Sequence, residues 1–365
     1  MINKNLDNSY IDIETELQKI VESKEMIIYG AGVVAECILP YIINDVKILA
    51  VTVTYPPIEN DTLCGIPIIP IELLLKYRET ATVLIATYDT HHKEITERLV
   101  SFGFNKIIQM TLPLRCAFFN SYCIKFLRKH NIDIENETIQ IGDINLLNPK
   151  FLPERFADKI YSQINILLLH LITNKHVVSS EGLYEYEQSF INGNETVFDC
   201  GANMAVFSAY AASKGGKVYA FEPTEELLPI IKRHSEINNH RIIAVPLALS
   251  NYTGQVELAE KENCGENSII NTNNTINKST VDCITLDNFV EKEKIKQVGF
   301  IKADIEGAER LMLEGARNTL KNHAPKLAIC TYHLPDDKKV IEEIILDANS
   351  SYKIVHHWKK LFAWV

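Results

Sequence analysis

No two cysteines in these 365 residues stand as a C-x-x-C pair. The eight present (Cys37, Cys64, Cys116, Cys123, Cys200, Cys264, Cys283, Cys330) are scattered singly. That spacing argues against a zinc or dithiol redox motif and leaves them as small core hydrophobes in a reducing compartment. Long apolar runs are missing too. No stretch approaches the roughly 18 residues needed to span a bilayer. The opening "MINKNLDNSYIDIETEL" lacks the basic start and apolar stretch of a signal peptide. A cytoplasmic location without a membrane span is therefore expected. Positive charge is also short: 37 Lys+Arg against 47 Asp+Glu give a formal charge of -10. Gripping phosphate backbones needs a basic face, so nucleic acid is not an expected partner. The expected partner is a small-molecule or glycan substrate, and a homo-oligomer is compatible with the composition.

What is abundant is apolar sequence, 46% of the chain, enough for two compact units at this length. Over residues 1–112, helical and strand patterns alternate. The helix "YIDIETELQKIVESK" is followed by strand "EMIIY", turn "GAGVVAE" and a helix to about Ile43. Then come strand "VKILAVTV", a Pro- and Asp-rich stretch, short helix "PIELLLKYR", strand "TVLIAT", helix "HHKEITERLVSFG" and strand "NKIIQM". Such alternation predicts a doubly wound parallel sheet, a Rossmann-like α/β domain. Residues 113–194 read as a helical connector, with helical periodicity in "SYCIKFLRKHN" and "PERFADKIYSQINILLLHLITNK" around the polar loop "IENETIQIGDINLLNPK".

From 195 to 365 the alternation resumes as a second doubly wound domain. Strands are expected at "TVFDC", "KVYAFE", "RIIAVPLALS", "VGFIKADI" and "KLAICTY", and helices at "AVFSAYAASK", "TEELLPIIKRHSEIN" and "AERLMLEGARNTLKNH". A strand-turn-strand pair, "YKIVHHWKKLFAWV", ends the chain. The polar run "AEKENCGENSIINTNNTINKST" at 259–280 is either a surface excursion or a lid.

Two glycine turns compete as cofactor sites. A glycine turn between strand and helix lets a ligand approach the backbone and the free N–H groups of the helix start. "GAGVVA" supplies Gly30, Gly32 and Ala35, but Thr52 and Thr54 stand where a dinucleotide site needs a ribose-binding acid. This disfavours a nicotinamide dinucleotide and leaves a sugar nucleotide or a purely structural role. In the second turn, "DCGANMA", Glu222 follows Gly201 by 21 residues at the end of the next strand. Its carboxylate can accept both ribose hydroxyls, and Asp199 at the head of the turn suits a cationic ligand. S-adenosylmethionine carries an ammonium, a sulfonium and a free ribose diol.

The blocks "TVFDCGANMAVFS", "VYAFEP", "VPLALSN", "TLDNF" and "GFIKADIEGAERLMLEGA", in that order, resemble the FkbM family of S-adenosylmethionine-dependent O-methyltransferases. The resemblance covers roughly residues 195–335 and implies a class I methyltransferase fold for the second domain. It also implies that Asp199, Gly201, Ala202 and Asn203 line the methionine part of the cofactor, that Glu222, with Pro223 beside it, holds the ribose, and that Leu247 and Ala248 lie near the adenine. The family usually has Gly where this chain has Ala205.

In open parallel sheets ligands meet the carboxyl ends of the strands. Lys302, Asp304, Glu306 and Glu309 fall at or just after one such end, and His333 follows the next strand. A sugar hydroxyl attacks once its proton is removed, so a base or a metal is expected. His333, whose ordinary pKa of about 6.5 leaves it mostly neutral, is the first choice. Asp304 is the alternative base, or it orients His333, or it joins Glu306 in holding a divalent cation. Lys302 either steadies the acceptor oxygen or forms a salt bridge, and Glu306 is read as substrate-binding at a helix start. Tyr184 and Tyr186 either cover the cofactor and substrate or pack in the core. His356 and His357 are read as surface or packing residues, and His91 and His92 follow a strand end in the first unit, where a ligand role is open but has no support from spacing. The expectation is O-methylation of a sugar, glycan or related precursor; the alternatives are a non-catalytic nucleotide-sugar-binding or scaffold protein and a nicotinamide-dependent oxidoreductase.

Overall fold

The computed structural model describes residues 14–54, 61–87, 91–129, 131–148, 151–153, 184–261, 264–273, 275–357 and 359–365. The helix expected over 153–175 falls, beyond its first residue, outside them, as do residues 55–60 and Trp358. The chain divides into two compact units, Met1–Glu137 with Asn148–Ser180 and Thr138–Leu147 with Glu181–Val365.

The first unit runs α1 (Glu14–Glu22), β1 (Glu25–Tyr29), α2 (Val33–Ile42), β2 (Lys47–Thr52), the small hairpin β3 (Thr62–Leu63) and β4 (Ile66–Pro67), a 3₁₀ turn Ile71–Tyr77, β5 (Thr82–Ile85), α3 (His92–Ser101), β6 (Ile107–Gln109) and α4 (Leu112–Lys129). Its sheet has the order β2-β1-β5-β6, every pair parallel. "EMIIY" is apolar without alternation because both faces are covered. Met26 and Ile28 pack with Ile38 and Phe118 on one side, Ile27 and Tyr29 with Leu74 and Leu99 on the other. At the end of β1, Gly30 has φ +123°, and a Cβ there would lie 2.5 Å from the Ala86 carbonyl oxygen. Glycine is required at that turn for steric reasons alone.

The second unit begins with β7 (Thr138–Ile141) and β8 (Ile144–Leu147), an antiparallel hairpin where a polar loop was expected. The polar residues of that stretch hid a real strand pattern. Ile139, Ile141, Ile144, Leu146 and Leu147 are buried, and Gly142 turns the chain at φ +59°. The main body follows: β9 (Thr196–Cys200), α5 (Val206–Ser213), β10 (Lys217–Phe221), α6 (Leu228–Ile237), β11 (Ile242–Val245), β12 (Ala248–Leu249), β13 (Gly254–Glu260), β14 (Asn277–Ile284), α7 (Leu286–Lys292), β15 (Phe300–Ala303), α8 (Glu309–Glu314), α9 (Arg317–His323), β16 (Lys326–Cys330), α10 (Asp337–Ala348), β17 (Lys353–His357) and β18 (Lys360–Trp364). A seven-stranded sheet has the order β11-β10-β9-β15-β16-β18-β17, with β18 antiparallel to both its neighbours. A side sheet, β12-β14-β13, stands apart from it.

Three expected elements divide differently. "RIIAVPLALS" is two strands, β11 and β12, separated at Pro246, which has no N–H to continue a ladder. The helix "AERLMLEGARNTLKNH" is two helices, divided where Gly315 and Ala316 leave helical backbone; the chain at Gly315 passes so close to Ser250 that an added Cβ would lie 2.4 Å from its carbonyl oxygen. The run 259–280 is shorter as a loop than expected, since its ends belong to the antiparallel pair β13–β14. An aromatic cluster holds α7 on the sheet: Phe289 meets Phe221 at 4.7 Å and Tyr219 at 5.3 Å between ring centroids, edge to face.

Candidate active site

The turn after β9 is tight. Gly201 has φ +76°, and a Cβ there would fall 1.9 Å from the carbonyl oxygen of Asp304. The ends of β9 and β15 can therefore meet only with glycine at 201. Asn203 and Ala205 also take left-handed backbone, at φ +48° and +62°. Ala205 is fully buried at the start of α5, so the methyl is accommodated in a conformation that costs an L-residue about 1 kcal/mol.

Glu222, just past β10, is 7% exposed and receives two backbone N–H groups, Asn203 N to Oε2 at 2.9 Å and Thr224 N to Oε1 at 3.0 Å. Burial pushes its pKa up against the pull of these bonds. With the Thr224 side chain also bonded to it, this carboxylate, which has about four lone-pair sites, keeps acceptor capacity. Close by, Asn203 Oδ1 is buried with no hydrogen-bond partner among the described residues. Ala202 is buried, Pro223 and Leu247 are half-buried, and Ala248 is buried in β12.

Asp199 does not face the open turn. It is fully buried; Oδ2 accepts from Ser208 Oγ at 2.6 Å and Oδ1 lies 3.0 Å from Lys302 Nζ. Lys302 stands opposite Asp199 in the β15–β9 register and donates to the Gly201 carbonyl at 2.7 Å. Burial works against charge on Lys302, but Asp199 and Asp304 outweigh it and hold the ammonium well above the usual lysine range.

The acceptor-side candidates converge at the ends of β15 and β16. Tyr184 donates to Asp304 Oδ2 at 2.7 Å and Tyr332 to Oδ1 at 3.3 Å. Burial opposes ionisation of Asp304; Lys302, the Tyr184 bond and His333 more than offset it and hold the carboxyl below its usual range. His333 places Nε2 3.6 Å from Asp304 Oδ1 and 3.5 Å from Glu306 Oε2, and Nδ1 3.0 Å from Glu309 Oε1. Glu309 is fully buried, its oxygens accepting from Ile305 N at 2.8 Å and Gly307 N at 3.1 Å. Burial lowers the affinity of His333 for a proton, but Glu306 and Glu309 raise its pKa to about 11. The ordinary imidazole value behind the sequence expectation does not apply inside this ring of carboxylates.

The β13–β14 loop lies against the same place. Ser268 Oγ donates to the Glu306 carbonyl at 2.7 Å, and Asn267 Nδ2 to Thr224 Oγ1 at 3.2 Å. It touches both the Glu222 side and the Glu306 side of the site.

Tyr186 is placed elsewhere, stacked on His357 with ring centroids 4.3 Å apart. His356 pairs with Glu342 at 2.7 Å, and His92 Nε2 lies 3.1 Å from the Thr87 carbonyl. The sequence pattern assigns Glu309 no role and does not mark Tyr332. The one signal for Glu309 was its spacing three residues after Glu306 at a helix start.

Residues 199–354 match the methyltransferase FkbM domain. The FkbM match spans every cofactor-side and acceptor-side candidate from Asp199 to His333, and the first unit lies outside it. The sheet around the site has an α/β methyltransferase-like fold. Over 166 residues, 44% of this chain, the sequence is 25% identical to the hexuronic acid methyltransferase AglP of Haloferax volcanii, and the match spans 65% of that protein's length. The crystal structure of methyltransferase FkbM from Methylobacillus flagellatus KT is 17% identical, with a TM-score of 0.40 over 97% of this chain and 94% of that one. A SAM dependent methyltransferase from Aquifex aeolicus is 15% identical, with a TM-score of 0.29 over 48% of this chain and 84% of its own.

Proposed function

We propose that the FkbM domain binds S-adenosylmethionine between the ends of β9 and β10 and transfers its methyl group to a hydroxyl of a sugar, glycan or related precursor. The observation that carries the cofactor reading is the pairing of Glu222 with Asn203. Glu222 is fixed by two backbone N–H groups with lone pairs to spare for a ribose diol, and Asn203 Oδ1 is a buried acceptor lacking a donor among the described residues, as an ammonium would supply. When bound, the cofactor supplies a sulfonium-activated methyl. Gly201 and Asn203 shape the turn beside it, and the Asp199–Lys302 pair fixes the floor by tying β9 to β15.

The sugar reading is supported by the similarity to a hexuronic acid methyltransferase. Asp304, Glu306 and His333 form the acceptor side, where a hydroxyl oxygen is oriented and its proton passes to a carboxylate, Glu306 being the one whose pKa burial raises; alignment of the reacting atoms supplies much of the acceleration. Calorimetric titration with S-adenosylhomocysteine tests the cofactor site: the intact protein binds and Glu222→Ala does not. Absence of binding by the intact protein would overturn the enzyme reading. With labelled S-adenosylmethionine and a panel of sugar nucleotides and glycans, His333→Ala should lose turnover while keeping affinity for S-adenosylhomocysteine.

A further inference from the structure

The acceptor-side cluster holds more ligating atoms than an ion pair needs. Asp304, at the end of β15, Glu309, at the start of α8, and His333, after β16, each offer one ligand atom, and the three lie within 4.8 Å of one another. A first-row divalent cation bound at about 2.1 Å keeps neighbouring ligand atoms about 3 Å apart. The 3.0 Å separation of Glu309 Oε1 from His333 Nδ1 is close to that spacing, and Asp304 Oδ1 lies 3.6 Å from Nε2, the other nitrogen of the same ring.

A second observation points the same way. The His333 side chain is only 8% exposed, yet neither ring nitrogen makes a hydrogen bond of good geometry among the described residues. The ring instead sits against carboxylate oxygens of Asp304, Glu306 and Glu309. The groups behind these carboxylates are in place: Ile305 and Gly307 N–H hold Glu309, and the Tyr184 and Tyr332 hydroxyls hold Asp304. Ligand carboxylates at metal centres are oriented by such outer hydrogen bonds. The cluster opens toward solvent on one side, since Asp304 is 17% and Glu306 23% exposed while Glu309 is closed off.

We infer that Asp304, Glu309 and one ring nitrogen of His333 form a binding site for a divalent first-row cation, with further coordination positions open beside Glu306. One imidazole with two carboxylates suits manganese, iron, cobalt or zinc better than the all-oxygen shells preferred by calcium and magnesium. The expected ligand set from sequence, Asp304 with Glu306, changes: Glu309 takes the inner place, and Glu306 borders the open side. In catalysis the cation would polarise an acceptor oxygen bound at an open position. That use rests on the methyltransferase reading; the site itself does not.

The test is manganese binding by the full chain after chelator treatment, followed by electron paramagnetic resonance and calorimetry. One equivalent should bind saturably, and binding should release protons and weaken as pH falls. His333→Ala and Asp304→Asn should each lower affinity at least about tenfold, with thermal unfolding confirming that the variants fold. His356→Ala, at the exposed pair with Glu342, should bind as the parent does. Failure of manganese, cobalt and zinc alike to bind at one equivalent overturns the proposal, as does unchanged affinity in folded His333→Ala. Binding of S-adenosylhomocysteine is read in the same samples. If it persists without metal binding, the cation site falls and the methyltransferase reading stands; metal binding without it gives the reverse.

Discussion

His234 is a titratable group that the site does not use, and it makes the stability of the second unit depend on acidity. Its ring is fully buried in α6, where Nε2 accepts the Leu147 N–H of β8 at 3.1 Å. Accepting at Nε2 requires the neutral ring. Burial therefore lowers the pKa from 6.5 to about 4. The unfolded chain takes up a proton near 6.5, and the folded chain resists until about 4. The depressed value means that the stabilisation is whole above pH 6.5 and is lost as pH falls through that window, at up to 1.36 kcal/mol per unit and roughly 3 kcal/mol in all. The assay is urea unfolding at pH 7.5, 6 and 5 of the intact protein and of His234→Gln, whose side-chain oxygen can accept the same N–H without titrating. Carboxylates shift both proteins alike, so the difference in slope belongs to His234. The variant should lose less stability on acidification; parallel curves over this range would refute the buried neutral imidazole.

Other substitutions test the joints of the site. Gly201→Ala should cost more than about 2 kcal/mol in urea unfolding, because its Cβ would overlap the Asp304 carbonyl and its φ is +76°. Lys302→Met should cost about 3–5 kcal/mol by stranding the buried Asp199 carboxylate, and adding Asp199→Asn should recover much of the loss. A smaller effect, about 1 kcal/mol, is expected for Thr285→Ala, since Thr285 Oγ1 caps α7 by accepting from Asn288 N; no change in midpoint would exclude the cap as a source of stability.

Much of the fold could be read from periodicity alone. "TVFDC" and "KLAICTY" are apolar runs bounded by turn residues, and their strands lie where that pattern places them. The hairpins β7–β8 and β13–β14 were hidden because each carries polar residues on an exposed face or at its turn. A strand with one wet face and no strict alternation looks like a loop until its partner is known.

The sequence by itself determined the strand-turn-helix around Gly201, the carboxylate of Glu222 at the next strand end, and the gathering of Lys302, Asp304, Glu306, Glu309 and His333 near two adjacent strand ends. Tertiary structure decided what those groups face. Register sets Lys302 opposite Asp199, so an acid that read as ligand-facing is held inside the sheet. The turn through Glu306 and Gly307, at φ +54° and +104°, folds the backbone around Glu309 and directs it onto His333. Tyr184 and Tyr332 reach Asp304 from 120 and 28 residues away. Distances of this kind depend on how separate segments pack, and the local pattern of one segment carries no information about them.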